Sequence, residues 1–293
     1  GNKQGPGQLK EEIAKWENIT LGAFANYNRT FADVHSVSAM LGMTAEQETY
    51  KRVGAVRKSG AVYPGSGLAD LDVWVNGNNN EAYGGQNSWG LVSYLGRLNY
   101  TYDDRYLLTL TARRDGYSAF GESSKFGVFP SAAIGWNISN ESFFKDKPIS
   151  ETISNLKYRL SWGKNGNEAI SAYSTLPNLS TYNYLNDDHT AQFGFYPSKL
   201  ASPGLGWETT TSINTGFDIA LWNGRIQSSF DIYWSKTKDL LLSRSIPTIN
   251  GTGSITENRG QTRNRGFEFQ ITSNNITHKS FSWSTSFNLS HYR

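Results

Sequence analysis

Cysteine is absent from the 293 residues, which excludes disulfide scaffolds, thiolate catalysis and cysteine-based zinc sites. Nowhere do about 18–20 apolar residues run consecutively, so no helix of the usual membrane-spanning kind is encoded. Hydrophobic residues make up only 37%, below the roughly 45–50% of ordinary soluble domains. Charge of one sign is missing too: the formal net charge is +3 and the charges are interspersed, so no basic stripe points to nucleic acid. Histidine is scarce, and His35, His189, His278 and His291 are scattered rather than set in an H-E-x-x-H spacing. No Walker A, G-x-G-x-x-G or G-x-S-x-G motif occurs. No catalytic constellation, metal site or cofactor is expected.

What the chain does have is aromatic residues, 14% in all, with 9 Trp, 16 Tyr and 15 Phe. Disordered chains lack them. The dominant pattern is a period of two. Between 207 and 221, Trp207, Thr209, Thr211, Ile213, Thr215, Phe217, Ile219 and Leu221 fall on one face. Glu208, Thr210, Ser212, Asn214, Gly216 and Asp218 fall on the other. Asn223-Gly224 follows as a two-residue hairpin signal, and Ile226, Phe230, Ile232 and Trp234 alternate on the return. About ten strands are predicted, over 15–31, 36–51, 90–102, 105–115, 125–139, 155–164, 207–222, 225–242, 264–276 and 280–292. Most exceed the usual 5–6 residues and reach the 9–11 needed to cross a bilayer at a tilt.

The connections alternate in length. Ala32–Ser36, Asp103-Asp104, Asn223-Gly224 and Thr277–Lys279 are tight, and 140–154 occupies a tight slot with room for a short helix at its start. The intervening set, 52–89, 116–124, 165–206 and 243–263, is mostly long and rich in Gly, Asn, Ser and Tyr. In an up-and-down sheet all tight turns then share one end, as in outer-membrane barrels. Tyr100, Tyr102 and Tyr106 flank the Asp103-Asp104 turn on the apolar parity, which suits an interfacial girdle. The plainer reading is that tyrosine favours strands. Alternation also fits a β-sandwich, which hides one face against a second sheet, although two loops of about forty residues fit a sandwich poorly.

A series of motifs then runs in order. Tyr94-Leu95-Gly96-Arg97-Leu98-Asn99-Tyr100-Thr101-Tyr102-Asp103-Asp104-Arg105-Tyr106 leads into Thr111-Ala112-Arg113-Arg114-Asp115-Gly116 and Lys125-Phe126-Gly127-Val128-Phe129-Pro130-Ser131. Ser161-Trp162-Gly163-Lys164-Asn165-Gly166-Asn167, Leu205-Gly206-Trp207-Glu208-Thr209-Thr210, Tyr233-Trp234-Ser235-Lys236-Thr237-Lys238-Asp239-Leu240-Leu241 and Asn264-Arg265-Gly266-Phe267-Glu268 follow. From about residue 15 onward the chain resembles the barrel of SusC/RagA-like TonB-dependent transporters of Bacteroidota. The resemblance implies an all-β, antiparallel, up-and-down transmembrane barrel of about 22 strands with a plugged lumen. Residues 1–293 would supply about ten of its strands. The start at Gly1 and the stop at Arg293 inside an alternating segment are read as marking a fragment, without the plug domain and the first and last strands.

The resemblance further implies a Gram-negative outer-membrane location and import of oligosaccharides, glycans or peptides. It implies a SusD-like surface lipoprotein, and the TonB–ExbB–ExbD complex acting through an N-terminal region. A carbohydrate-binding sandwich, a passive porin or an adhesin are the alternatives. Arg97, Arg113 and Glu208 carry lumen parity, where arginine escapes the cost of about 2–4 kcal/mol at the lipid midplane. Trp207 is placed to anchor the boundary between loop and strand. For substrate, the loop aromatics Tyr63, Trp74, Tyr83, Trp89, Tyr173, Tyr182, Tyr184, Phe193, Phe195 and Tyr196 are the candidates, since ligand sites combine aromatic faces with a few polar groups. Packing of the loops among themselves or against a lid is the bland alternative. Asp187-Asp188-His189 reads as solvated loop charge, Asp103-Asp104 as a turn, and Asn-x-Ser/Thr triplets such as those at Asn137 and Asn288 as a consequence of composition.

Overall fold

Alternating apolar and polar residues cannot bury both strand faces at once, and the computed structural model shows how the chain resolves this. It describes residues 7–59, 79–187 and 190–293. Ten long strands form one antiparallel sheet: β1 (Gly7–Phe31), β2 (His35–Ser59), β3 (Asn79–Tyr102), β4 (Tyr106–Tyr117), β5 (Phe126–Asn137), β6 (Ile153–Asn167), β9 (Glu208–Leu221), β10 (Ile226–Lys238), β13 (Gln261–His278) and β14 (Phe281–Tyr292). Neighbours in the sheet follow chain order, and β1 and β14 are its two edges. Two separate ribbons, β7 (Asn178–Leu185) with β8 (Ala191–Lys199) and β11 (Leu241–Ser245) with β12 (Ser254–Asn258), are carried within long connections. Gly22–Thr44 and Leu91–Arg293 form one compact unit; the remaining parts of β1, β2 and β3 belong to a second.

Register within the larger unit confirms the facing pattern. Leu98 pairs with Leu110, and Leu110 with Ala132. Trp162 pairs with Ile213, Ile213 with Trp234, and Phe230 with Phe269. These residues share one surface, and no second sheet covers it: Leu110, Trp162, Ile213 and Trp234 are 41–47% exposed. Only seven apolar residues among those described are buried. A sandwich core of the kind two packed sheets require is therefore missing, which overturns the sandwich alternative. The opposite surface presents Arg113, Asp115, Arg159, Asp218, Asp231 and Glu268.

The turns explain the short ends. Phe31 to Val34 and Tyr102 to Arg105 each close with a backbone bond between first and fourth residues, 3.2 and 2.9 Å long. Ala32, Asp33, Asp103 and Asp104 all take positive φ, the mirror-image turn that matches strand twist. The third hairpin differs from its Asn223-Gly224 expectation. β9 and β10 pair last at Leu221 and Ile226, so four residues make the loop, and Trp222, Asn223 and Gly224 all have positive φ. Trp222 is held back because its N–H donates to Thr152 O at 2.8 Å. In the tight slot after β5, α1 (Ser142–Lys145) provides the expected short helix and α2 (Ile149–Thr152) a second.

Strand ends also run further than alternation predicts. β2 continues to Ser59 and β3 begins at Asn79. Tyr83 and Trp89, expected in a loop, therefore lie in β3. Tyr63, Trp74, Asp188 and His189 lie outside the described residues.

Candidate functional site

At the tight-turn end the outward tyrosines form a row rather than isolated rings. Tyr102 stacks with Tyr106 at 6.3 Å between centroids, and Tyr106 with Trp136 at 6.5 Å. His35 adds to the row 5.0 Å from Tyr102, and its Nδ1 lies 2.8 Å from the Tyr100 hydroxyl. Rings with one dry edge and one wet edge suit a headgroup boundary. Behind them Glu141, buried at 6% exposure, accepts from Tyr106 Oη, from Trp136 Nε1 at 2.9 Å and from Arg105 Nη1 at 3.1 Å. Those donors, with Tyr106 the strongest, hold its carboxyl below the usual carboxylate range. Arg105 also meets Asp103 Oδ2 at 2.6 Å.

The inner face carries the charges. Arg113 Nε donates to both oxygens of Asp115 at 2.7 and 2.8 Å, and its Nη2 donates to Ser93 Oγ at 2.9 Å. Ser93 and Asp115 are buried. Arg159 bridges Asp218 and Asp231. Arg97 is exposed on the same face with no ion pair among the described residues.

At the long-loop end, three connections are tied together. Glu208 accepts from Asn167 Nδ2 at 3.3 Å and from Leu241 N at 3.2 Å. Asn258 donates to Gly206 O and Asp239 O, both at 2.9 Å, and accepts from Gly206 N at 2.8 Å. Trp207 donates to Lys125 O at 3.0 Å and packs on Phe120 and Phe129, 5.0 and 5.1 Å away. It anchors the boundary as expected, but it precedes β9 and leaves the outward series it was assigned to. Room for its ring comes from Gly127 and Gly166, where a Cβ would lie 3.0 and 2.8 Å from it.

Above this neck stands the β7–β8 ribbon. Its register sets Ser180 opposite Tyr196, Tyr182 opposite Gly194 and Tyr184 opposite Gln192. Tyr182, Tyr184 and Tyr196 thus share one face, 68%, 53% and 44% exposed. Tyr182 and Tyr196 meet edge to face at 6.4 Å, and the Tyr184 ring lies over Gly194. Phe193 and Phe195 point to the other face with Leu179 and Leu185.

Such a sheet, apolar on one face and charged on the other, matches the family model "TonB dependent receptor-like, beta-barrel" over residues 8–293. The chain belongs to this family. TonB-dependent receptors are outer-membrane transporters and receptors of Gram-negative bacteria rather than enzymes. The barrel segment is 44% identical over 204 residues to TonB-dependent receptor P3 of Formosa agariphila, covering 70% of this chain and 20% of that one. It is 41% identical over 219 residues to TonB-dependent receptor SusC of Bacteroides thetaiotaomicron, covering 71% and 21%. The chain spans about a fifth of the length of these relatives. In fold it superposes on the RagAB peptide transporter with a TM-score of 0.88 at 23% identity, over all of this chain and 31% of that one. The siderophore receptor PirA of Acinetobacter baumannii gives 0.56 at 13% identity, over 94% and 36%.

Within this receptor barrel the candidate residues separate. Tyr182, Tyr184 and Tyr196 come together, whereas Phe193 is on the reverse of the same ribbon. Tyr83 donates to Glu12 Oε2 at 2.7 Å, with Lys10 and Arg52 over its ring. Trp89 donates to Glu48 Oε1 at 3.3 Å. Both are bonded to carboxylates of other strands of the sheet. Asn258, Glu141 and Asp231 escaped sequence reasoning; an Asn or Glu in a polar connection carries no local mark of the backbone or ring it binds.

Proposed function

We propose that the chain is part of a larger closed barrel of about 22 strands that imports glycans, oligosaccharides or peptides across the outer membrane. Energy comes from TonB–ExbB–ExbD through a plug-bearing N-terminal region, and a SusD-like lipoprotein covers the long-loop end. The observation that carries this reading is the pairing of an uncovered apolar face with long, aromatic-bearing connections gathered at the end opposite the tight turns, in a chain similar to SusC and, in fold, to the RagAB peptide transporter. On it, Tyr182, Tyr184 and Tyr196 meet the substrate, each offering a flat apolar ring and a phenol to sugar or peptide. Phe193 faces the lid or a neighbouring loop. Arg113, Arg97 and Glu208 shape the lumen rather than react with cargo.

Uptake of candidate glycans and peptides is measured with the intact transporter in cells with and without TonB. TonB-dependent uptake that falls when Tyr182 and Tyr184 are both changed to Ala supports the reading. Uptake independent of TonB makes the protein a passive pore. Uptake that depends on TonB but ignores both tyrosines moves the substrate contact elsewhere.

A further inference from the structure

Near the long-loop end, the outward face of the sheet changes character. Lys164 on β6 pairs with Thr211 on β9, Thr211 with Lys236 on β10, and Lys236 with Arg263 on β13. These four residues form one lateral row, and the three cations all take the parity of Trp162 and Trp234 rather than that of Asp218 and Asp231. One strand pair nearer the tight turns runs the row Trp162, Ile213, Trp234 and Arg265. Arg265 exchanges both backbone bonds with Arg293, at 2.9 and 2.8 Å. Lys238 lies one pair further out, opposite Gln261.

No Asp or Glu occupies an outward position on β6, β9, β10, β13 or β14. None of these six cations makes an ion pair among the described residues, and Lys238 and Arg263 lie near enough to repel Lys236. Asp239 is a carboxylate close to Lys164. It lines, with Lys164, Phe126, Val128 and Trp207, an open depression of about 380 Å³. Like charges gathered on one face with no ion pair among the described residues suit an anion from outside the chain.

Height along the strands says which anion. Lys236 is ten residues from the tight turn at Ile226. At about 3.4 Å per residue and a tilt of about 40°, ten residues climb about 26 Å. That equals the apolar band of an outer-membrane barrel, about 25 Å tall. Cations on the lipid side are costly at the midplane and nearly free at the interfaces, and basic clusters beside a bilayer bind anionic headgroups. Trp162 and Trp234, directly below, are aromatics of the interfacial kind.

We propose that Lys164, Lys236 and Arg263, flanked by Lys238, Arg265 and Arg293, bind the phosphate groups of an outer-leaflet glycolipid. The site is independent of cargo and lid, and rests only on the outward face meeting lipid. Extraction and heat-modifiable gel mobility test that premise separately from the site itself.

The full-length protein is purified in mild detergent from outer membranes, and co-purifying phosphorylated glycolipid is quantified by mass spectrometry. The variant combining Lys164→Gln, Lys236→Gln and Arg263→Gln retains about tenfold less lipid or worse, while the inward Lys157→Gln retains it fully. Wild-type lipid retention in the triple variant overturns the proposal. So does displacement of the lipid by millimolar inorganic phosphate, or loss of a stoichiometric protein from the triple variant with lipid unchanged. If the triple variant fails to reach the membrane, Lys236→Gln and Arg263→Gln are tested singly. Each is expected to lose lipid severalfold, and unchanged retention in both overturns the site.

Discussion

Arg159 Nη2 donates to Asp231 Oδ2 at 3.0 Å although a whole strand lies between them. Gly216 makes this contact feasible. It is paired with Arg159 on one side and Asp231 on the other, and with no side chain it leaves the guanidinium a clear path across β9. A Cβ there would lie 2.5 Å from Asp231 Oδ1 and from Phe230 O. Three strands are thereby cross-linked on this face, since Nε and the same Nη2 also donate to Asp218 at 2.8 and 2.9 Å.

Arg159→Gln is expected to destabilise the barrel by about 1–2 kcal/mol, between the surface and buried limits for ion pairs. Gly216→Ala is expected to cost at least as much. Denaturant unfolding of the full-length protein in vesicles checks both. A wild-type midpoint for Arg159→Gln would remove the cross-link from the list of stabilising features.

Leu110 and Thr109 are neighbours on opposite faces. Leu110 pairs with Leu98 and Ala132, and Thr109 Oγ1 donates to Asn99 Oδ1 at 2.9 Å. Leu110→Arg should weaken folding into lipid by about 2 kcal/mol or more, whereas Thr109→Arg should be tolerated. Equal losses in vesicle-folding assays would refute the facing assignment.

Acid should loosen the tight-turn end first. Tyr106, Trp136 and Arg105 depress the Glu141 carboxyl below its ordinary 4.5. A depressed acid stabilises the fold fully above that ordinary value, and the contribution fades as pH falls through the lowered one. Hydrogen-exchange protection across 137–153, relative to the intrinsic rate at each pH, should be unchanged from pH 7 to about 5 and fall below. Glu141→Gln should exchange faster at neutral pH and lose the acid dependence; the same acid response in that variant would place its origin elsewhere.

Trp207→Ala should free the neck of the long connections. Phe120, which packs against it, is 2% exposed. Removing a large aromatic from such packing costs roughly 3–5 kcal/mol when fully buried, and Trp207 is half-buried, so the lower figure applies. Protease digestion of intact cells should cut within 168–206 much faster in this variant. Trp207→Phe, which keeps one aromatic ring but loses the pyrrole half of the indole and its bond to Lys125 O, should fall between.

Legibility in the sequence followed the range of the interaction. The alternation over 207–221 exposed facing because parity is a local property. Ten strands and the slots of tight and long connections followed from the same signal. The ribbons at 178–199 and 241–258 did not, because short exposed strands alternate over too few residues to stand out. Trp222 could not be read as a turn residue, since what displaces the turn is a bond to Thr152 seventy positions upstream. Splitting Tyr182 from Phe193 needed register, which residue type alone does not carry. Lys164 and Arg263 are nearly a hundred positions apart, and only the ladder aligns them.

Asn167 and Glu208 are partners in the backbone ladder as well as through their side chains, so the forty residues between them leave and re-enter the sheet at adjacent points. Such a pedicel makes the ribbon a graft. Lengthening it, shortening it or exchanging it with that of another receptor alters neither stagger nor strand number. Residues 168–207 can therefore vary while the strands on either side keep their register.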